Sequence, residues 1–299
     1  MISEHCFQHR QIALTHQGLH FHEDTEEHIE KFLARAEPIT PPLDIFLFQP
    51  RTTSQTAAVE IHLDQLMMWF VKTEIIPLER LLCEIILLHR MAVTLEPLFN
   101  RQTQARRAYV LMGAMMQERL VRLIVKTHPA SHDWLYGLGS SPTLDKMFWE
   151  TNYRGAASVA RFIHAVHEAE GITMRLPTIE DDLDYGIDLY LDVLPHGDES
   201  THATYHLAVS IKSSVRSSGF FINHLTTASP AYLRDIHKRI LSGVQKVTAL
   251  YELTFHPLGV MIGQTEHDPN SLEGRAEDAL IIERFLSQFE ARRSHLNRL

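Results

Sequence analysis

Cysteine is almost missing from this chain of 299 residues: Cys6 and Cys83 are its only two, which excludes the small secreted scaffolds stapled by a disulfide framework. Long apolar runs are missing as well, since none approaches the ~18 residues that read as a membrane-spanning helix. The opening Met1-Ile2-Ser3-Glu4-His5 lacks the basic-then-apolar order of an export signal, so the expected location is the cytoplasm. Internal repeats and low-complexity tracts are not found. Positive charge is scarce overall, with a formal net charge of −9, which argues against a surface that is basic throughout. What remains is an ordinary globular composition, 44% apolar and 22% charged, long enough to bury a sizeable core and to form two domains.

The two halves differ in character. Pro77 opens a run with Leu81, Leu82, Ile85, Ile86, Leu88 and Met91 at helical spacing, Ala105 to Lys126 reads as a second long helix, and Ala58 to Val71 as another. Met67, Met68, Met112, Met115 and Met116 read as core filling. The stretch from Pro129 to Pro142, with Ser131, Gly137, Gly139, Ser140 and Ser141, reads as a loop. It sets the expected boundary between a mainly helical N-terminal region, 1–142, and an α/β domain, 143–299. In the second half, Ala156, Val159, Ala160, Phe162, Ile163 and Val166 mark a helix that stops at Gly171. Further helices are expected from Ser229-Pro230 through Lys246 and from Ala276 to Arg293, with a strand between Tyr251 and Ile262.

Charge is distributed unevenly. Arg101, Arg106, Arg107, Arg119, Arg122 and Lys126 face a single acid, Glu118; Lys212, Arg216, Arg234, Lys238, Arg239 and Lys246 face only Asp235. Two such basic stretches suit a phosphate backbone, and the alternative is a pair of solvated helix faces. Between Arg175 and Lys212 there is no Lys or Arg, while eight acids (Glu180, Asp181, Asp182, Asp184, Asp188, Asp192, Asp198, Glu199) would attract a divalent cation.

The sharpest chemistry lies in that acidic segment. Gly186-Ile187-Asp188-Leu189-Tyr190-Leu191 alternates with period 2, placing Ile187, Leu189, Leu191 and Val193 on one face and Asp188, Tyr190 and Asp192 on the other. In the next apolar-alternating segment, His206, Ser210 and Lys212 share one side, opposite Leu207, Val209 and Ile211. If Leu194 to Thr204 is a hairpin loop, Asp188 and Lys212 meet on one face. A carboxylate beside an ammonium there suits phosphodiester hydrolysis, in which a hard cation held by carboxylate oxygen makes hydroxide from water and a lysine stabilises developing charge. A half-buried hairpin with a solvated polar edge would carry the same residues.

The run Arg175-Leu176-Pro177 through Glu180-Asp181-Asp182-Leu183-Asp184-Tyr185-Gly186-Ile187-Asp188-Leu189, followed by Val209-Ser210-Ile211-Lys212-Ser213-Ser214, resembles the PD-(D/E)XK nuclease superfamily. The resemblance covers about half of the chain, from near Glu150 onward. It implies a restriction-endonuclease-like mixed sheet flanked by helices, an Mg2+- or Mn2+-dependent nuclease, and DNA as the substrate. It further implies Asp188 as metal ligand, Lys212 as the catalytic lysine, and Ile211 as the residue whose main-chain carbonyl faces the metal. Ser210 stands where the family carries Glu or Gln, a catalytic position whose acid must then come from elsewhere. The family's further acid comes from the helix before the first strand, which offers Glu150, Glu168 and Glu170; Glu170 continues the apolar stripe of that helix and is the preferred metal ligand. The competing expectation is a nuclease-like domain that has lost catalysis and serves as a nucleic-acid platform or structural subunit. A second copy or a protein partner would be met through the helical N-terminal region.

Two histidine clusters read as bystanders. His164-x-x-His167-Glu168 is expected on a solvated helix face, because it lacks the order of a metalloprotease helix. Cys6-x-x-His9 with His20-x-His22 has no second cysteine nearby and is expected to bind no zinc.

Overall fold

A computed structural model describes residues 12–14, 77–96, 103–126, 132–140, 144–167, 171–194, 204–218, 220–224 and 234–264, with the single positions 169, 278, 280, 282 and 283. The chain divides into two compact units, His20–Ala157 and Met1–Leu19 with Ser158–Leu299. Outside the described residues lie the expected helix over 58–71, the Cys6/His9/His20/His22 group, Arg101, Glu168 and Glu170. So does most of the expected helix over 276–293, of which positions 278, 280, 282 and 283 are described and helical. Among the described residues no helix is long and apolar enough to cross a membrane.

In the first unit, helices α1 (Pro77–Leu95) and α2 (Thr103–Lys126) form where the apolar spacing places them. Leu82, Ile85, Ile86 and Leu88 are buried on α1, and Met112, Met115 and Met116 on α2, the methionines filling core as expected. The stretch read as a loop instead contains helix α3 (His132–Gly137) and a 3-10 turn, Leu138–Ser140. Burial of Leu135 and the seating of Gly139 against Trp149 hold it, a tertiary effect that overrides its turn-rich composition. Helix α4 (Lys146–His167) begins on Asp145, whose Oδ1 accepts from the Phe148 amide at 2.8 Å as an N-cap. It contributes residues 146–157 to this unit and 158–167 to the next.

The second unit is α/β, a mixed sheet with flanking helices. The strands are β1 (Ile12–Leu14), β2 (Ile172–Leu176), β3 (Leu189–Val193), β4 (Tyr205–Ser218), β5 (Phe220–His224) and β6 (Phe255–Gln264), in the order β1-β2-β3-β4-β6-β5. β2, β3 and β4 run antiparallel in succession, and β6 lies parallel to β4 after a crossover through helix α6 (Arg234–Tyr251). β3 is buried along its whole length, so both faces of the sheet are covered there. One face carries Tyr190 and Ala208 against Ile240, Val244, Val247 and Tyr251 of α6.

Short helix α5 (Ile179–Tyr185) delivers the chain to β3. Thr178 caps its start by accepting from the Asp181 amide at 3.1 Å, and its first turn carries Glu180, Asp181 and Asp182, the sign the helix dipole favours. Gly186 ends it in the left-handed region at φ 70°, where a side chain would be strained. Two contacts pin α5 to α6: the Tyr251 hydroxyl donates to Asp181 Oδ2 at 3.0 Å, and Gly243 lets the Tyr185 carbonyl approach so closely that any Cβ would collide with it.

Candidate active site

The site forms where β3 begins. The expected alternation starts two residues late: Gly186 to Asp188 are irregular, and Ile187 turns into the cluster around Tyr190 and α6 instead of sharing a face with Leu189. The left-handed turn at Gly186 resets the pleat, which is why period 2 fails there. The last regular pair is Leu189 with Val209, and the Asp188 amide donates to the same Val209 carbonyl at 2.8 Å. The next β4 amide facing this edge, that of Ile211, would be left without a strand partner. The Asp188 carboxylate takes that place, accepting from Ile211 N at 2.6 Å, a short charge-assisted bond.

Two further donors reach the same oxygen, Asp188 Oδ2: the Ser210 hydroxyl at 3.2 Å and the Lys212 ammonium at 3.3 Å. Asp188 and Lys212 therefore do meet, but along the strand edge as much as across a face. The Asp188 side chain is 7% exposed and that of Lys212 is 45% exposed, so the carboxylate is sheltered and the lysine tip stands in solvent. Asp188 Oδ1 accepts no hydrogen bond from any described residue. In an extended strand a residue's N–H and C=O leave on the same edge, so the Ile211 carbonyl emerges beside the oxygen that receives its amide. One carboxylate oxygen left open by the described residues and one neighbouring carbonyl fit a hard cation of the kind that keeps most of its water and takes one or two protein carboxylates.

Two other acids of the segment are engaged elsewhere. Asp192 is buried between β2 and β4, with Oδ2 held by the Arg175 guanidinium at 2.7 Å and Oδ1 by His206 Nδ1 at 2.7 Å. Burial alone would raise its pKa, but the hydrogen bonds from His206 and Arg175 and their charges outweigh it and hold the carboxyl below its usual 3.8. Asp181 is buried against Tyr251. Asp181 and Asp192 are thus already taken up by protein partners, and among the described residues no group of three or more His, Cys, Asp or Glu side chains gathers as metal ligands. Glu150 pairs with Arg154 at 3.2 Å and Lys146 at 3.9 Å on its own helix; Glu168 and Glu170, the preferred metal ligand, lie outside the described residues.

The basic stretches divide into paired and exposed cations. Arg119 is buried, bonded to Glu84 at 2.6 Å, and the half-buried Arg122 pairs with Glu118, so Arg119 adds nothing to a solvent-facing cationic surface and the charge of Arg122 is already matched. Arg106, Arg107, Lys126, Lys212, Lys238 and Lys246 are exposed. His164 and His167 are half-buried rather than solvated. The Arg175–Asp192–His206 cluster lies outside the sequence expectations, although the sequence carries a signal for it: the hairpin that pairs Leu189 with Val209 also pairs Asp192 with His206. Comparison with protein families, curated proteins and solved structures finds no match to this chain.

Proposed function

We propose that this protein is an Mg2+-dependent nuclease that hydrolyses phosphodiester bonds of DNA, built on a restriction-endonuclease-like domain. The observation that carries the proposal is the convergence of Lys212, Ser210 and the Ile211 amide on Asp188 Oδ2. The succession α4, β2, β3, β4, α6, β6, with β6 parallel to β4, supports the finer fold reading. Asp188 and the Ile211 carbonyl would hold the cation, which when bound supplies a low-pKa water and neutralises phosphate charge. Lys212 is long and exposed enough to donate to the attacking water or to a phosphate oxygen. Ser210 orients the Asp188 carboxylate and contributes no charge of its own.

Ser210 also supports a second reading, a nuclease-like domain that binds nucleic acid without cutting it, because a hydroxyl does not replace the acid the family carries there. Cleavage of plasmid, single-stranded DNA and RNA in Mg2+ and in Mn2+ separates the two. On the nuclease reading, Asp188→Ala abolishes cleavage and Lys212→Ala lowers it by about 10²–10³-fold, with circular dichroism unchanged. Wild-type protein inert on all three substrates in both metals overturns the nuclease reading in favour of the binding domain.

A further inference from the structure

Three donors share Asp188 Oδ2, and they are not equivalent. The Ile211 amide is fixed in β4, and Ser210 is buried at 3% exposure. The Lys212 ammonium makes the longest of the three contacts, 3.3 Å, on a flexible stem that is 45% exposed. It is the one donor able to leave without exposing a buried polar group. Its contact with Asp188 is screened by water, so leaving costs little.

We infer that Lys212 is a built-in competitor for the cation at Asp188, and that a substrate phosphate relieves the competition. The inference rests on the proposed reading of Asp188 as a cation ligand. An ammonium on one oxygen of a carboxylate and a divalent ion on the other stand one carboxylate's width apart and repel each other. With Lys212 docked, the Asp188 charge is already compensated and the cation binds weakly. A phosphate that draws the ammonium away returns that charge to the cation. By linkage the cation then favours phosphate binding by the same factor. The site thus loads cation and phosphodiester together, and stays quiet with either alone.

The test uses the whole 299-residue chain and Mn2+ alone as the probe, with free ion counted by its electron paramagnetic resonance signal. Lys212→Met keeps the stem and removes the charge, and it tightens Mn2+ binding on the order of tenfold. Lys246→Met, which removes the same charge at an exposed position over the Tyr185 ring, leaves affinity within about twofold. Adding Asp188→Asn to Lys212→Met abolishes the tight site. The inference is overturned if Lys212→Met binds Mn2+ no better than wild type, if Lys246→Met tightens binding equally, or if the Asp188→Asn double variant keeps the site. If folded wild type and folded Lys212→Met both lack any Asp188-dependent binding, the cation-site reading itself falls, and this inference with it.

Discussion

Asp192 shows how a single buried carboxylate becomes a statement about pH. Its folded pKa lies below the usual 3.8 because His206 and Arg175 bond to the charged form more strongly than burial opposes it. A depressed carboxylate pKa adds stability that is fully present above the unfolded value and is lost as pH falls through the folded one. Asp192→Asn should therefore unfold at markedly lower urea than wild type at pH 7, with a loss of about 3–5 kcal/mol for breaking a buried pair on one side. The gap between the two proteins should close as pH drops below 3.8. A gap that stays constant through that acid range would show that Asp192 acts by shape and not by charge. His256, whose pKa is lowered by burial and by His206, gains no compensating acid of this kind among the described residues.

The placement of Asp188 depends on how α5 seats on α6. Gly186 turns the chain, Gly243 in the middle of α6 allows the Tyr185 carbonyl to touch that helix, and Tyr251 at its C-terminal end ties Asp181. Gly243→Ala drives a methyl group into main chain, which cannot rotate away. The expected cost is about 1–3 kcal/mol, seen as a lower melting temperature, and α5 shifts with it. Because Asp188 lies only a few residues beyond α5, on the nuclease proposal any metal-dependent cleavage should fall more than stability explains. Gly137→Ala, where an added Cβ meets nothing within 4 Å, should stay within about 0.5 kcal/mol of wild type. Equal melting temperatures for the two variants would refute the close-approach argument.

Across the molecule, a net charge of −9 coexists with exposed cations in both compact units. If these cations meet a phosphate backbone, reversing Arg106, Arg107, Lys238 and Lys246 to Glu should weaken DNA binding in the absence of divalent metal. The dependence of log affinity on log salt should flatten by up to about 0.9 for each phosphate that is no longer neutralised. Folding should survive, since exposed charges contribute little to stability. An unchanged affinity and slope would reduce these residues to solubilising helix faces. Arg119 does not belong in that experiment: buried and paired with Glu84, it would report on folding instead.

Features whose cause is local could be read from the residues alone. α1, α2 and α4 follow from apolar spacing, and the β3–β4 hairpin from two alternating segments around a turn-rich loop, because backbone geometry sets the periods 3.6 and 2 whatever lies outside the segment. Candidate residues Asp188, Ser210 and Lys212 were legible for the same reason, since a hairpin brings its two arms together. The remaining features arise from contacts between distant segments. The left-handed exit at Gly186 breaks the alternation and swings Ile187 into the α6 cluster, so Asp188 works as an edge cap for Ile211. Tyr251 finds Asp181 across 70 residues, and Arg119 disappears into the core while Arg106 and Arg107 stay outside. Such outcomes depend on which distant surfaces bury one another, and a charge or glycine looks the same in the sequence whether or not a neighbour closes over it.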